Sequence, residues 1–127
     1  MRILVCGSRG FANLAATHQQ IRAVLQEILP PQEADATSEP HVIIHGNAPC
    51  VDQLAGCAAQ ELGCLVEVFP ADWVNLGRGA GLIRNRRMLE QGKPDLVLAF
   101  WDGRSRGTEH MIKISRAYGV PVEVIRL

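Results

Sequence analysis

The sequence has no long hydrophobic segment. Its longest strongly apolar run, Leu96 to Trp101, is six residues long, whereas a helix that spans a bilayer needs about 20. The apolar stretch that follows Met1 is also much shorter than the hydrophobic region of a signal peptide. These absences exclude a membrane protein, and we expect a cytoplasmic location.

Charge of one sign and aromatic side chains are also scarce. Thirteen Lys and Arg residues balance thirteen Asp and Glu residues, and only 5% of the residues are aromatic. A surface that binds single-stranded nucleic acid usually combines a basic groove with stacking aromatic rings. Nucleic acid is therefore not an expected partner, and we interpret Trp73 and Trp101 as pocket walls or core residues.

Cysteine pairs of the C-x-x-C type are absent. The four cysteines are Cys6, Cys50, Cys57 and Cys64. Cys50 together with His45 and Asp52 matches no known zinc spacing. A chain of 127 residues, of which 47% are hydrophobic, can form a core without disulfides. We expect reduced cysteines, no metal, no other cofactor and a single domain over residues 1–127.

Short apolar runs alternate with segments of helical periodicity. Ile3–Cys6 is a continuous apolar run that stops at Gly7, which is typical of a strand buried on both faces. Between Asn13 and Leu29 the apolar residues recur at the spacing of one helix face. The same criteria predict later strands at His41–His45, Cys64–Phe69, Asp95–Trp101 and Val122–Ile125. They predict later helices at Val51–Leu62, Ala80–Gln91 and Thr108–Tyr118.

This order predicts an α/β domain with a mostly parallel five-stranded sheet and helices on both faces. Gly63 and Gly92 are expected to end two of the helices. Gln32–Pro40 is predicted to be a solvent loop, and Trp73–Gly81 a glycine-rich loop. In such sheets, ligands bind beyond the carboxyl ends of the strands, and this rule selects four loops. They are Gly7–Asn13, Gly46–Asp52, Pro70–Gly81 and Asp102–Thr108.

The first selected loop places Gly7, Ser8 and Arg9 directly after the first strand. A glycine and serine loop that enters a helix presents free backbone N–H groups to an anion. The loop matches neither the Rossmann G-x-G-x-x-G pattern nor a Walker A loop. We interpret the three residues as ligand contacts, and the alternative is a plain strand-to-helix turn.

The second loop holds His45, Gly46 and Asp52, which are further candidates for ligand binding. Asp52 suits two roles equally, capping backbone N–H groups or binding a ribose hydroxyl. His45 is consistent with packing, with hydrogen bonding and with acid–base chemistry, and the sequence does not separate these roles.

The third loop opens an arginine-rich helix. Glycine allows close approach, a helix N-terminus attracts anions, and guanidinium groups bind phosphate through paired hydrogen bonds. The alternative is a solvated basic face. The candidate ligand contacts in this segment are Gly79, Gly81, Arg84, Asn85 and Arg86.

A helical wheel separates the polar residues of this helix. The apolar arc is formed by Leu82, Ile83 and Leu89. Asn85 and Arg86 fall inside that arc, whereas Arg84 and Arg87 lie on the opposite side. A polar group inside the arc needs a partner, which favours a ligand over a solvated face.

The fourth loop supplies Gly103, Gly107 and Thr108. Thr108 is a natural N-cap and Gly107 allows close approach, so a second anion site is expected at this helix N-terminus. Glu109 suits three roles equally: stabilising the helix dipole, acid–base chemistry and binding a ribose.

Several segments form an ordered set that covers nearly the whole chain. They are Gly7–Arg9, His45–Gly46 with Asp52–Ala55, Phe69–Trp73, Ala80–Met88, and Ala99–Gly103 with Gly107–Thr108. In this order they resemble the YspA cpYpsA-related SLOG family. The resemblance implies a single Rossmann-like domain that binds a nucleotide or a nucleotide-derived ligand, such as AMP or ADP-ribose, in a bacterial or phage protein.

The resemblance also implies two other functions, since the wider superfamily includes the Lonely Guy phosphoribohydrolases and the DNA-processing protein DprA. The first is N-glycosidic hydrolysis of a nucleoside phosphate, and the second is binding of single-stranded DNA. Related enzymes dimerise, so a homodimer is a further expectation.

Lonely Guy enzymes use an Arg four residues before a Met, a spacing that Arg84 and Met88 reproduce. They also use a Glu after a P-G-G-x-G-T loop, and this position falls on His110, one residue after Glu109. The resemblance therefore implies Arg84 and Glu109 as catalytic candidates, with Asp52 as an alternative carboxylate.

Overall fold

Strands and helices alternate in the predicted order. The structure, a computed structural model, describes residues 1–30 and 39–126. Within these residues the strands are β1 (Arg2–Gly7), β2 (Val42–His45), β3 (Leu65–Val68), β4 (Leu96–Phe100) and β5 (Val122–Ile125). The α-helices are α1 (Leu14–Ile28), α2 (Val51–Glu61), α3 (Trp73–Leu76), α4 (Ala80–Gly92) and α5 (Arg106–Ala117). The predicted solvent loop Gln32–Pro40 lies outside the described residues except at its last two positions.

The strands form one sheet in the order β3-β2-β1-β4-β5, and every neighbouring pair is parallel. The predicted α/β fold is confirmed. β1 is central, because Ile3 pairs with Ile43 of β2 and Leu4 pairs with Val97 of β4. The strand order reverses beside β1, and such a reversal opens a crevice beyond the carboxyl ends of the strands.

Alternate residues of β1 supply two separate hydrophobic cores. Ile3 and Val5 pack in the core that includes α1 and α2, whereas Leu4 and Cys6 pack in the core that includes α4 and α5. Full burial of a side chain such as Leu4 contributes about 1.5–3 kcal/mol. The continuous apolar run of the sequence thus reflects a strand that is covered on both faces, as predicted. No helix in the described part of the chain is long and apolar enough to cross a membrane.

Two helix termini differ from the predictions. α5 begins directly after Ser105, whose side chain accepts a hydrogen bond from the backbone N–H of Thr108. Thr108 is therefore not the N-cap but a buried residue of the first turn. α4 continues through Gly92, and Lys93 takes the left-handed conformation with φ 47°. Gly92 instead packs closely on the sheet, because a Cβ there would lie 3.2 Å from the side chain of Ile44.

The prediction of a loop at Trp73–Gly81 is also wrong. This segment forms α3 and a 3₁₀ turn at Gly77–Gly79 that leads into α4. Asp72 caps α3, because its side chain accepts hydrogen bonds from the backbone N–H of Asn75 at 3.1 Å and from the Asn75 amide at 2.9 Å. One turn of helix is too short to show periodicity among the glycines that follow it.

The apolar arc predicted for α4 is buried only in part. Met88 and Leu89 pack in the core against the sheet. Leu82 and Ile83 are instead 47% and 42% exposed. The wheel assumes that one stripe is covered along the whole helix, whereas the first turns of α4 border the crevice and only its second half lies on the sheet.

Candidate functional site

A cleft of about 280 Å³ opens at the carboxyl ends of the strands, where the strand order reverses. Each of the four loops selected from the sequence contributes to its lining. Three arginines line it, Arg9, Arg78 and Arg84, and the carboxylate there is that of Asp52. A neighbouring recess of about 220 Å³ shares Arg9 and Arg84 with the cleft.

Arg84 lies where α4 meets the end of β2. Its Nε donates a hydrogen bond to Oδ1 of Asn85 at 3.0 Å, and its Nη1 donates to the carbonyl oxygen of Gly46. Its Nη2 donates to no acceptor among the described residues, and no ion pair joins Arg84 to Asp52. Burial lowers the pKa of Arg84 and Asp52 partly restores it, and the guanidinium stays charged.

The side chain of Arg84 occupies space that only a glycine leaves open. A Cβ on Gly46 would lie 2.7 Å from Cζ and 2.9 Å from Cδ of Arg84. Gly46 therefore contributes by its missing side chain and by its carbonyl oxygen. A larger residue at this position displaces the guanidinium from its hydrogen bonds.

Asp52 is a buried carboxylate that faces the same cleft. Its Oδ2 accepts hydrogen bonds from the backbone N–H groups of Gly46 at 3.0 Å and Ala48 at 3.2 Å. Its Oδ1 accepts none from the described residues. Burial raises the pKa of Asp52 to about 6, although the two backbone hydrogen bonds, Arg84 and Arg9 act in the opposite direction. Asp52 thus caps its own loop and keeps one oxygen for a further partner.

Two residues of the segment between β2 and α2 have a positive φ. Asn47 has φ 58° and Cys50 has φ 70°. Asparagine is tolerated in this region of φ, whereas Cys50 carries a Cβ that makes the conformation strained. Strain of this kind persists only where the surroundings enforce it, here around the carboxylate of Asp52.

His45 lies on the other side of the sheet from the cleft. Its Nδ1 accepts a hydrogen bond from the backbone N–H of Asn47 at 3.0 Å. Its ring packs on α2, where a Cβ on Gly56 would lie 2.8 Å from Nε2. Burial, and then Arg84, lowers the pKa of His45, which favours the neutral ring. His45 does not line the cleft, and its contacts hold the turn that carries Asp52.

Asn85 joins α4 to α5 beside the cleft. Its Nδ2 donates to Nδ1 of His110 at 3.2 Å and to the carbonyl oxygen of Gly107 at 3.5 Å. Its Oδ1 accepts from Arg84, as described above. The wheel prediction of a buried Asn85 is confirmed, whereas the inward position predicted for Arg86 is wrong, because Arg86 is exposed and Arg84 turns to the cleft.

Two residues at the end of β1 and the start of the loop that follows it, Gly7 and Arg9, line the cleft. A Cβ on Gly7 would lie 2.6 Å from Val51 and 2.7 Å from the Phe100 carbonyl oxygen, so Gly7 is required by packing. Ser8 is fully buried, with its N–H donating to Phe100 and its Oγ accepting from the N–H of Asp102, both at 3.0 Å. Arg9 is exposed and lines the cleft.

The loop after β4 holds its charged residues away from the cleft. Oδ1 of Asp102 accepts hydrogen bonds from the N–H groups of Ser105 at 2.9 Å and Arg104 at 2.8 Å, and these bonds lower its pKa. Glu109 pairs with Lys113 at 2.8 Å and does not line the cleft. The lining residues from this loop are Ser105, Gly107 and Thr108.

The remaining candidate glycines differ in whether they line the cleft. Gly81 lines the cleft, and a Cβ there would lie 3.2 Å from the ring of Trp73. Gly79 lies in the preceding turn and outside the lining. Gly103 has φ 82°, and a Cβ there would lie 3.1 Å from the guanidinium of Arg126. Gly103 therefore shapes its loop rather than the cleft.

Some lining residues were not selected as ligand contacts from the sequence. Trp73 and Arg78 follow β3, where the strand-end rule does direct attention. Cys6, Met88 and Met111 form an apolar part of the lining. Their apolar character marks them as core, and no sequence signal separates a core residue from one at the base of a cleft. Burial, and then Asp52, raises the pKa of the Cys6 thiol, which stays protonated.

The charged groups that line the cleft are three guanidinium groups and one carboxylate, so its net charge is positive. Among residues 1–30 and 39–126, no three His, Cys, Asp or Glu side chains are arranged to hold a metal ion. All four cysteines are free. Guanidinium and N–H donors suit an anionic organic ligand.

Known proteins are similar to this chain in sequence. A family model described as YspA, cpYpsA-related SLOG family matches residues 1–75. The Gene 61 protein of Mycobacterium phage D29 is 36% identical over 86 residues, which cover 64% of this chain and 68% of that protein. No solved structure matches with significance. The family match includes Asp52 and Trp73 and ends before α4, so Arg84 lies beyond it.

Proposed function

The chain belongs to the YspA, cpYpsA-related SLOG family, and we propose that it binds a nucleotide or a nucleotide-derived ligand, such as AMP or ADP-ribose. The ligand would lie in the cleft at the carboxyl ends of the strands. The observation that supports this most is Arg84, a partly buried cation that lines the cleft, has a free Nη2 and forms no ion pair with a described residue.

Arg84 is proposed to bind the phosphate. Two of its nitrogens are already held by Asn85 and Gly46, so the guanidinium is fixed before a ligand arrives. A fixed guanidinium binds phosphate through paired hydrogen bonds at little cost in side-chain entropy. Arg9 adds positive charge, and Gly107 brings the N-terminus of the 12-residue helix α5 to the same cleft.

Asp52 is proposed to accept a hydrogen bond from a ribose hydroxyl through Oδ1. Its Oδ2 is occupied by the two backbone N–H groups of its own loop. A carboxylate beside an arginine distinguishes the two ends of a nucleoside phosphate, because the anionic group avoids it and the hydroxyl groups bind it. The ribose would then lie over the loop after β2.

The size of the cleft favours a mononucleotide. Its volume of about 280 Å³ is close to the ~300 Å³ at which ligand sites begin. A longer ligand such as ADP-ribose would extend into the neighbouring recess of about 220 Å³, which shares Arg84 with the cleft.

Ultrafiltration with mass spectrometry tests this proposal. The wild type and Arg84→Ala are incubated with a pool of AMP, modified AMPs, NAD, ADP-ribose and cyclic nucleotides, and the retained species are identified. We expect the wild type to retain at least one intact nucleotide that Arg84→Ala does not retain. Retention by neither protein contradicts the proposal and makes single-stranded DNA the next ligand to test. Equal retention by both proteins contradicts the role proposed for Arg84.

A second function, N-glycosidic hydrolysis of a nucleoside phosphate, is favoured by the carboxylate of Asp52. A carboxylate that lines the cleft and has a pKa of about 6 suits activation of water or stabilisation of an oxocarbenium-like ribose. Water would add to C1′ as the bond to the base breaks, and the base would leave with a proton. Glu109 is less suited because it lies outside the cleft and is paired with Lys113.

Release of free base distinguishes hydrolysis from binding alone. The wild type, Asp52→Asn and Glu109→Gln are incubated with AMP, and free adenine and ribose 5-phosphate are measured. Hydrolysis predicts release by the wild type and Glu109→Gln, with a loss of at least 100-fold in Asp52→Asn. Absence of release from the wild type leaves binding as the function, and equal release by Asp52→Asn removes the carboxylate from the reaction.

A further inference from the structure

We propose that Trp73 is the surface on which the base of the ligand stacks. This inference rests on the proposed function, and it specifies the ligand class further. The ligand would carry a planar heterocyclic base as well as a phosphate, so a sugar phosphate alone would bind more weakly.

Trp73 is the first residue of α3 and borders both the cleft and the neighbouring recess. It is 50% exposed, although an aromatic side chain of this size usually buries much of its surface. Arg84 borders the same two cavities. An exposed ring and a fixed cation in one space match a ligand that is aromatic at one end and anionic at the other.

The ring of Trp73 packs against the start of α4. Gly81 lies against it, and a Cβ on Gly81 would be 3.2 Å from Cη2 and 3.7 Å from Cζ2 of the indole. The backbone is fixed as well, because Asp72 caps α3 through Asn75 and its carbonyl oxygen accepts from the N–H of Leu76 at 2.9 Å. A stacking surface that is ordered before binding costs little entropy when a base arrives.

The two tryptophans of the chain differ in what already covers them. Trp101 donates a hydrogen bond from Nε1 to the carbonyl oxygen of Ser105 at 3.0 Å, and the guanidinium of Arg126 lies 5.9 Å from its ring centre. Trp73 makes neither contact with any residue that the structure describes. Trp101 is therefore structural, whereas the face and the N–H of Trp73 are available to a ligand.

Contact with a second copy of the chain is the competing explanation for this exposure. Val74, the next residue of α3, is 95% exposed, and Ile83 nearby is 42% exposed. Neither of them lines the cleft, whereas Trp73 does. Position therefore separates Trp73 from Val74 and Ile83, whereas Leu82, which is 47% exposed, also lines the cleft. Trp73 is the aromatic residue of this lining, which favours a planar ligand, and Val74→Ala supplies the matched control.

Comparison of AMP with ribose 5-phosphate isolates the contribution of the base. Affinities for both are measured by calorimetry in the wild type, Trp73→Ala, Trp73→Phe and Val74→Ala. Base stacking predicts that Trp73→Ala raises the Kd for AMP about 10-fold or more and changes the Kd for ribose 5-phosphate less than about twofold. Trp73→Phe should lie between the wild type and Trp73→Ala, and Val74→Ala should equal the wild type.

The other outcomes separate a failure of the stacking role from a failure of the proposed function. If Trp73→Ala weakens both ligands equally, or leaves AMP binding unchanged, stacking is wrong. If the wild type binds AMP and ribose 5-phosphate equally, the proposed function survives without a stacking role for Trp73. If it binds neither, and the pooled nucleotides are not retained either, both proposals fail. Gel filtration supplies the last control: joint loss of a dimer and of AMP affinity in Trp73→Ala and Val74→Ala would mean that assembly, not stacking, causes the effect.

Discussion

The loops after β2 and β4 use the same local motif in opposite surroundings. In each, one carboxylate oxygen of an aspartate accepts hydrogen bonds from two backbone N–H groups. Asp52, in the first turn of α2 directly after the first loop, is buried at the cleft, and its pKa is raised to about 6. Asp102, in the second, is exposed, and its hydrogen bonds lower its pKa.

The difference shows that the covering residues, not the motif, set the chemistry. Arg84 of α4 donates a hydrogen bond to the carbonyl oxygen of Gly46 in the loop after β2. Its positive charge therefore lies near the buried carboxylate of Asp52. Asp102 is exposed, and no guanidinium among the described residues pairs with it. The next carboxylate, Glu109, is paired with Lys113 on the surface. We therefore expect ligand chemistry at the loop after β2 and a structural role for the charged residues after β4.

Removal of the Arg84 side chain should have the largest effect on ligand affinity. Arg84→Ala is expected to raise the Kd of the retained nucleotide about 100-fold, because a charge-assisted hydrogen bond of about 1.5–3 kcal/mol is lost. Arg86→Ala, on the same helix but exposed, is the matched control and should stay within about twofold. Calorimetry measures both, and equal losses would mean that the helix acts only through its overall charge.

Stability against pH should differ in sign between the two aspartates. The folded pKa of Asp52 lies above its ordinary value, so folding favours its protonated form and its contribution to stability is lost as pH rises from about 4 to 6. Asp52→Asn should therefore gain on the order of 2 kcal/mol relative to the wild type between pH 4 and 7. Asp102→Asn should lose relative stability over the pH range in which Asp102 ionises, because the folded pKa of Asp102 is lowered.

Urea unfolding at several pH values measures these differences. Differences between variant and wild type are required, because burial lowers the pKa of His45 and His110. These histidines therefore add stability as pH rises, a slope opposite to that of Asp52. If the free energy of unfolding, relative to the wild type, rises with pH in both aspartate variants or in neither, the two aspartates do not differ in burial as described.

Moving the Arg84 side chain without removing it should have a smaller effect on nucleotide affinity. Gly46→Ala places a methyl group where the guanidinium lies, and we expect a loss of about 10-fold in affinity as the flexible side chain relocates. Gly10→Ala is the control, since nothing lies within 4 Å of a Cβ there. Unchanged affinity in Gly46→Ala would show that the hydrogen bond from Arg84 to residue 46 does not position the cation.

The smallest effect is expected at Glu109. Glu109→Gln removes only a surface pair with Lys113, so nucleotide affinity should change less than about twofold. Calorimetry under the conditions used for Arg84→Ala measures it. A loss above about tenfold would place a functional carboxylate in the first turn of α5 and reverse the comparison.

The fold could be predicted because its signals are long and redundant. Continuous apolar strands such as Ile3–Cys6 require cover on both faces, and the strand-end rule then selects the loops that line the cleft. Features set by a single tertiary contact could not be predicted. Lys93, not Gly92, takes the left-handed conformation, and Gly92 lies against Ile44 of β2, which is distant in the sequence.

The candidate site could be located from the sequence, but its internal arrangement could not. A helical wheel treats α4 as uniformly covered, so it exchanges Arg84 and Arg86, whereas the space beside Gly46 decides which arginine turns inward. Asp52 and Glu109 are equivalent carboxylates in the sequence. Only the packing of α4 over the loop after β2 separates them.

A nitrogen-15 NMR titration with AMP tests the central claim most directly, because it follows both loops in one experiment. We predict the largest shifts at the Ala48 amide, at Nε of Arg84 and at the Gly107 amide, with saturation at one ligand per chain. The amides of Arg104 and Glu109 should shift little. The largest shifts at Arg104 and Glu109, with Ala48 and Arg84 unchanged, would contradict the assignment of the binding site to the enclosed loop.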